Sequence, residues 1–211
     1  MKKISLIYFL ITLLFTIQVQ AQKKRMMLLD EYSEGIVLMK NKAKTSAKLN
    51  YDTANKKMMY MQDGNEMILI NNDQVDTVFI SGRKFIPLHT VYLEVIQVNN
   101  ESIFIDWFIK NKYRGNRGAY GQITQNKVET INTTHWTNSE YKIQNAEVFD
   151  RENANVYWFY INDQPVKCRN EKDLLKLFPN KNNEIKAFIK EQKINFKQVP
   201  NALQLIYFCL K

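Results

Sequence analysis

Covalent chemistry in this chain would start from Cys168 or Cys209, its two cysteines, helped by His89 or His135, its two histidines. A thiol becomes a nucleophile when a base or a positive field beside it favours the thiolate. Cys168 stands in Val166-Lys167-Cys168-Arg169, and these cations would lower its pKa if it reached solvent. That run opens no helix at the thiol and makes no strand-to-helix elbow. A structural cysteine is therefore the favoured reading, and an exported hydrolase using Cys168 the lesser alternative. The same two cysteines raise the question of a bridge. Cys168 ends an expected strand and Cys209 lies in the last apolar helix. A Cys168–Cys209 disulfide and two separate buried thiols are weighed evenly, because the sequence does not supply the Cα separation a bridge needs. The histidines are too far apart for a local metal motif. The chain has no His-Glu-x-x-His, Cys-x-x-Cys, Gly-x-Ser-x-Gly or phosphate-loop pattern. No catalytic residue, metal or cofactor is assigned.

Acid–base chemistry would need paired carboxylates. Glu94 and Asp106 lie inside the two most apolar runs, with a register the sequence leaves open. Each reads better as an outward residue or as a partner for Lys or Arg. The patch most suited to binding is 110–121, KNKYRGNRGAYG. It carries Lys112, Tyr113, Arg114, Arg117 and Tyr120, with Lys110 at its head and no acid. Arginine forks onto phosphate or carboxylate, and tyrosine stacks on sugars or bases. The expectation is a loop after a strand end that contacts an anionic ligand; a solvated loop without specific contacts is weighed at least as heavily. Asn132-Thr133-Thr134 matches an N-glycosylation acceptor, and Asp52-Thr53-Ala54 and Asp76-Thr77-Val78 resemble bacterial O-glycosylation acceptors. Such short matches carry little weight.

The elements that would hold these residues are read from periodicity. Residues 35–39 (GIVLM) form a first strand, 40–48 are polar, and 49–110 alternate strand-like runs with turn formers. The runs are LNYD, KMMYM, EMILI, VDTVFI, RKFIP, VYLEVIQV and SIFIDWFIK. Their β-branched and aromatic content predicts an antiparallel meander. Several are apolar on both faces, so the sheet must close on itself or carry a cover. Residues 121–144 are rich in Thr, Asn and Gln and predict a long loop. Residues 150–155 predict a polar turn, and 156–161 with 166–168 a hairpin. Asn170 predicts a helix cap followed by Leu174, Leu175 and Leu177, ended by Pro179. Asn180 predicts a second cap, before Ile185, Phe188 and Ile189. Ile194 and Phe196 mark an extended link. Pro200 opens a third helix with the stripe Leu203, Ile206, Tyr207 and Leu210. The fold class is α+β: an antiparallel β-meander, curved sheet or roll, followed by short C-terminal helices packed on it.

The first residues, Met1-Lys2-Lys3, an apolar run over 4–17 and Val19-Gln20-Ala21, predict a signal peptide over 1–21. The run is shorter than the ~20 residues a membrane span needs. The expected organisation is then a leader, a β-rich domain over 22–168 with a polar loop at about 121–147, and a helical appendage over 169–211. Loss of Lys2 and Lys3 takes the net charge from +9 to +7. An exported, basic chain points to an anionic envelope lipid or glycan, or to another envelope protein, rather than to nucleic acid. The expected location is periplasmic or extracellular, with nothing left to span a membrane. The runs LNYDTANKKMMYM, VDTVFISGRKFIP, GAYG and NEKDLLKLFPNKNNEIKAFIKEQKINFK are similar to those of a group of uncharacterised exported bacterial proteins. The resemblance implies export and the β-then-α order, and it transfers no functional residue. The leading reading is a non-enzymatic envelope binding or interaction module. The other reading of that kind is a carrier of an apolar ligand inside the curved sheet.

Overall fold

The computed structural model describes residues 26–98, 101–117, 123–124 and 147–211. The expected signal peptide, Tyr120, His135 and the Asn132 acceptor lie outside them. In chain order the strands are β1 (Ser33–Met39), β2 (Lys44–Asp52), β3 (Lys57–Gln62), β4 (Asn65–Ile68), β5 (Val75–Ile80), β6 (Arg83–Leu88), β7 (Val91–Val98) and β8 (Glu101–Asp106). They continue with β9 (Ile109–Arg117), β10 (Ile123–Thr124), β11 (Glu147–Asn153), β12 (Val156–Ile161) and β13 (Gln164–Cys168). Ten of them form one antiparallel sheet, in the order β13-β12-β8-β7-β6-β5-β1-β2-β3-β4. A second sheet holds β9 between β10 and β11.

One register row explains where the core lies. Val37, Val78, Phe85, Glu94, Ile105, Tyr157 and Cys168 are direct cross-strand neighbours. Directly opposed residues share a face, and every member of this row is buried. The opposite face carries Ile36 beside Phe79, both exposed. So the expectation of cover holds for one face only. The two ends of the buried face are covered differently. Towards β4 the sheet covers itself. Tyr51 of β2 stacks on Phe85 of β6 at 5.9 Å although two strands stand between them, which requires a strong curl. Ile109 N donates to Thr53 O at 3.3 Å, and Lys56 meets Asp106 at 2.8 Å, across the same curl. Asn50, fully buried, clips on the preceding segment: its Nδ2 donates to Leu29 O and Glu31 O, and its Oδ1 accepts from Leu29 N.

Towards β13 the helices supply the cover. They are α1 (Glu171–Leu177), α2 (Asn182–Glu191) and α3 (Val199–Leu210). Leu174, Ile185, Ala202, Leu205, Ile206 and Cys209 meet Ile103, Ile105, Tyr157, Phe159 and Cys168 in one core. The α+β architecture is as expected, with these corrections. Strand β2 starts at Lys44, inside the stretch read as polar, because its exposed half still completes the ladder with β1. The run SIFIDWFIK breaks at Trp107-Phe108, where the chain passes from one sheet to the other. Asn180 falls in a 3₁₀ turn (Pro179–Lys181), and α2 begins after Lys181. In α3 the fully buried residues are Ala202, Leu205, Ile206 and Cys209, so that of the stripe read from Leu203 only Ile206 is among them. The helix is apolar nearly all round, so tertiary contact chooses the face.

Candidate functional site

Cys168, the lesser candidate for a nucleophile, is disarmed by its surroundings, in keeping with the structural reading. Cys168 has no solvent exposure, and burial pushes its thiol up to about 12. Its Sγ donates to Asn170 O at 3.3 Å. Cys209 is buried in the same core and pushed up to about 11, again by burial. Both are free thiols, so the disulfide reading gives way to two buried small hydrophobes. His89 sits in the β6–β7 turn with positive φ. Among the described residues no group of His, Cys, Asp and Glu could hold a metal ion.

The two carboxylates are structural. Glu94 points inward, not outward, and is 3 % exposed. Its two oxygens accept from Arg83 Nε and Nη2, each at 2.7 Å, and from Trp107 Nε1 at 2.7 Å. This bidentate pair sits where the two halves of the core meet, and the Arg83 guanidinium lies 5.1 Å over the Trp107 ring. Asp106 pairs with Lys56, whose ammonium also lies 4.8 Å from the Phe108 ring. Thr53 and Thr77 are buried, and the Thr53 hydroxyl donates to Met26 O, so neither is presented as a glycosylation acceptor.

The basic patch changes character most. Lys112, Tyr113, Arg114 and Arg117 lie in strand β9, not in a loop. Strand β11, which runs from the end of the stretch read as a loop into the stretch read as a polar turn, pairs with it. Asp150 stands opposite Lys112 and Glu152 opposite Lys110. Lys110 reaches Glu152 at 3.4 Å, and Arg114 reaches Asp150 at 3.5 Å. A run without local acids thus receives two acids across the ladder. Residues 123–124, also read as loop, form the third strand.

What the fold assembles instead is a cleft of about 610 Å³ where β9, β11, β12, α1 and the α2–α3 link converge. This volume lies in the range of small-molecule sites. Its walls come from three segments, 152–155 with Tyr157, 169–172 and 195–197, and from Lys110 of β9. Tyr157 and Phe196, edge to face at 5.4 Å, form the apolar wall. Burial pushes the Tyr157 phenol up to about 12, with a weaker opposing contact from Asn155. Asn155 is 6 % exposed; its Oδ1 accepts from Phe108 N at 2.9 Å, and its Nδ2 has no partner among the described residues.

The rim is basic. Glu152 is held between Lys197 at 3.3 Å and Lys110 at 3.4 Å. The hydrogen bond from Lys197, then Lys110, holds its carboxyl below the usual range. Arg169 and Lys172 line the same cleft and have no ion-pair partner among the described residues, where the remaining lining acid is Glu171. Of these residues only Lys110 belonged to the patch singled out by sequence. Asn155, Arg169, Lys172, Asn195 and Lys197 were missed as a group. The available signal was weak: short Asn-bearing words between apolar runs, ENANV, CRNEK and KINFK. Only the strand order brings them together. No family model, curated protein or solved structure matches the chain.

Proposed function

We propose that this protein is an exported, non-enzymatic binding module of the cell envelope, and that the cleft beside Tyr157 is where it takes a small anionic ligand. The observation that carries this is the pair Arg169 and Lys172, two cations without anionic partners among the described residues, on the rim of a cavity of ligand size. Concave sites with a few convergent polar groups on an apolar wall are the usual form of such sites. The buried, proton-retaining Cys168 supports binding over hydrolysis. The interior of the curl is filled by Tyr51, Phe85, Tyr92 and Met58, which argues against an apolar carrier. No helix among the described residues is long and apolar enough to cross a membrane.

The test is native mass spectrometry of the protein purified from its own envelope fraction. A co-purifying anionic small molecule is expected, and it should vanish in Arg169→Glu/Lys172→Glu. Retention of the same molecule by that variant would place its site elsewhere.

A further inference from the structure

Resting on the reading of the cleft as a ligand site, we propose that it is built for a phosphate monoester, a head that carries two negative charges and only accepts hydrogen bonds. The asparagines of its walls point to this, two of them directly. Asn170 Oδ1 accepts from Asp173 N at 3.1 Å, Asn195 Oδ1 accepts from Lys197 N at 3.1 Å, and Asn155 Oδ1 accepts from Phe108 N at 2.9 Å. A backbone N–H can be met only by the oxygen of an amide, so each of these side chains is fixed with its Nδ2 turned the other way. All three line the cleft, and the Nδ2 groups of Asn170 and Asn195 have no acceptor among the described residues, whereas that of Asn155 faces the Tyr157 phenol. Asn170 and Asn195 are exposed, so their amide donors are open to a ligand; the Asn155 amide is buried beneath the lining and is not.

Several acceptors of the same walls are engaged. Asn170 O takes Leu174 N, Asn195 O takes Gln198 N, and Lys197 O takes the Asn153 amide. The Glu152 carboxylate is held by two lysines. A neutral sugar brings no charge to set against Arg169 and Lys172. A phosphate monoester near neutral pH brings three acceptor oxygens and close to two negative charges. Its charge matches the surplus of four lining cations over two lining acids, and Arg169 can take two of its oxygens at once.

The test is calorimetric titration of the full chain with inorganic phosphate, glycerol 3-phosphate, glucuronate and glucose. Glycerol 3-phosphate should bind about tenfold or more tightly than glucuronate, as expected for one lost charge-assisted contact, and glucose should give no heat. Asn170→Asp and Asn195→Asp keep the oxygen that their backbone N–H needs and replace the free donor by a second acceptor. Each should weaken phosphate-ester binding about tenfold with the melting temperature unchanged. Asn65→Asp, on the opposite sheet edge, makes the same charge change and should leave binding unaltered. If the cleft substitutions leave affinity unchanged, the role of the amide donors is overturned.

Equal or tighter binding of glucuronate or glucose, abolished by Arg169→Glu, would overturn the phosphate assignment while keeping the cleft as the site. Binding of none of the probes would overturn both. Vesicles of phosphatidylcholine with and without phosphatidic acid identify the source. Capture by phosphatidate vesicles, released by glycerol 3-phosphate, marks a lipid head group. Binding of the soluble ester without vesicle capture marks a free metabolite.

Discussion

The two ends of the buried face solve one problem by different means. The β1–β6 end shields its apolar side by curling until Tyr51 meets Phe85. The β8–β13 end stays open enough to need helices, and Leu174, Ile185, Leu205 and Ile206 fill the gap. A curl leaves no seam between separate pieces. A cover made of helices does, and the cleft lies along that seam, between the helical links and the small second sheet. The difference teaches where to look for recognition: the self-covered end is filled, whereas the separately covered end leaves polar segments facing one another.

The joint between the halves is where the contrast can be broken. Arg83→Met leaves Glu94 charged and buried with Trp107 as its remaining partner, and should cost about 3–5 kcal/mol in urea unfolding, with both halves lost together. If the cost is below about 1 kcal/mol, the joint does not couple them. Gly35 tests the curl itself. A Cβ there would come within 2.5 Å of Phe79 O and 2.7 Å of Leu49 Cδ1, so Gly35→Ala should cost about 1–3 kcal/mol.

Alkaline titration separates the buried thiols from the buried phenols. The helix-covered end buries Cys168 and Cys209, whose thiols are raised from the ordinary 9.0 to about 12 and about 11. The curled end buries Tyr51 and Tyr92, raised by burial from 10.0, as is Tyr157 at the helix-covered end. An acid whose folded pKa is raised keeps its contribution below the unfolded pKa and loses it as pH climbs towards the folded one. Stability should therefore start to fall near about pH 9, and in Cys168→Ala/Cys209→Ala only near about pH 10, read by thermal melting across pH. At the cleft the sign reverses: Glu152, held down by Lys197 and Lys110, contributes above the ordinary carboxylate pKa and loses that as pH falls. The smallest effect expected is local. Asn170→Ala removes the α1 cap at a cost of about 1 kcal/mol, while Asn170→Asp should leave thermal stability unchanged.

The alternation of 75–80 and 91–98, the Asn170 cap and the proline positions were enough to place the meander and the helices in order. What periodicity does not contain is strand order. Lys112 and Arg114 look unopposed along the chain, and only the pairing of β11 with β9 brings Asp150 to them. Glu94 looks like any polar residue in an apolar strand until the curl buries it against Arg83. The cleft is illegible for the same reason, since its three segments meet only after β12 has docked on β8.

Strand β1 lies between β2, its neighbour in sequence, and β5, which comes only after the excursion through β3 and β4. The β1–β4 and β5–β8 ribbons can each zip up through short turns, whereas the Val37–Val78 seam must wait for the loop between them to close. The seam is thus the slow contact of the assembly. Until it forms, each ribbon exposes a raw border on which another copy of the chain can stack, so the hazard during synthesis lies in the middle of the finished sheet and disappears from view once folding is done.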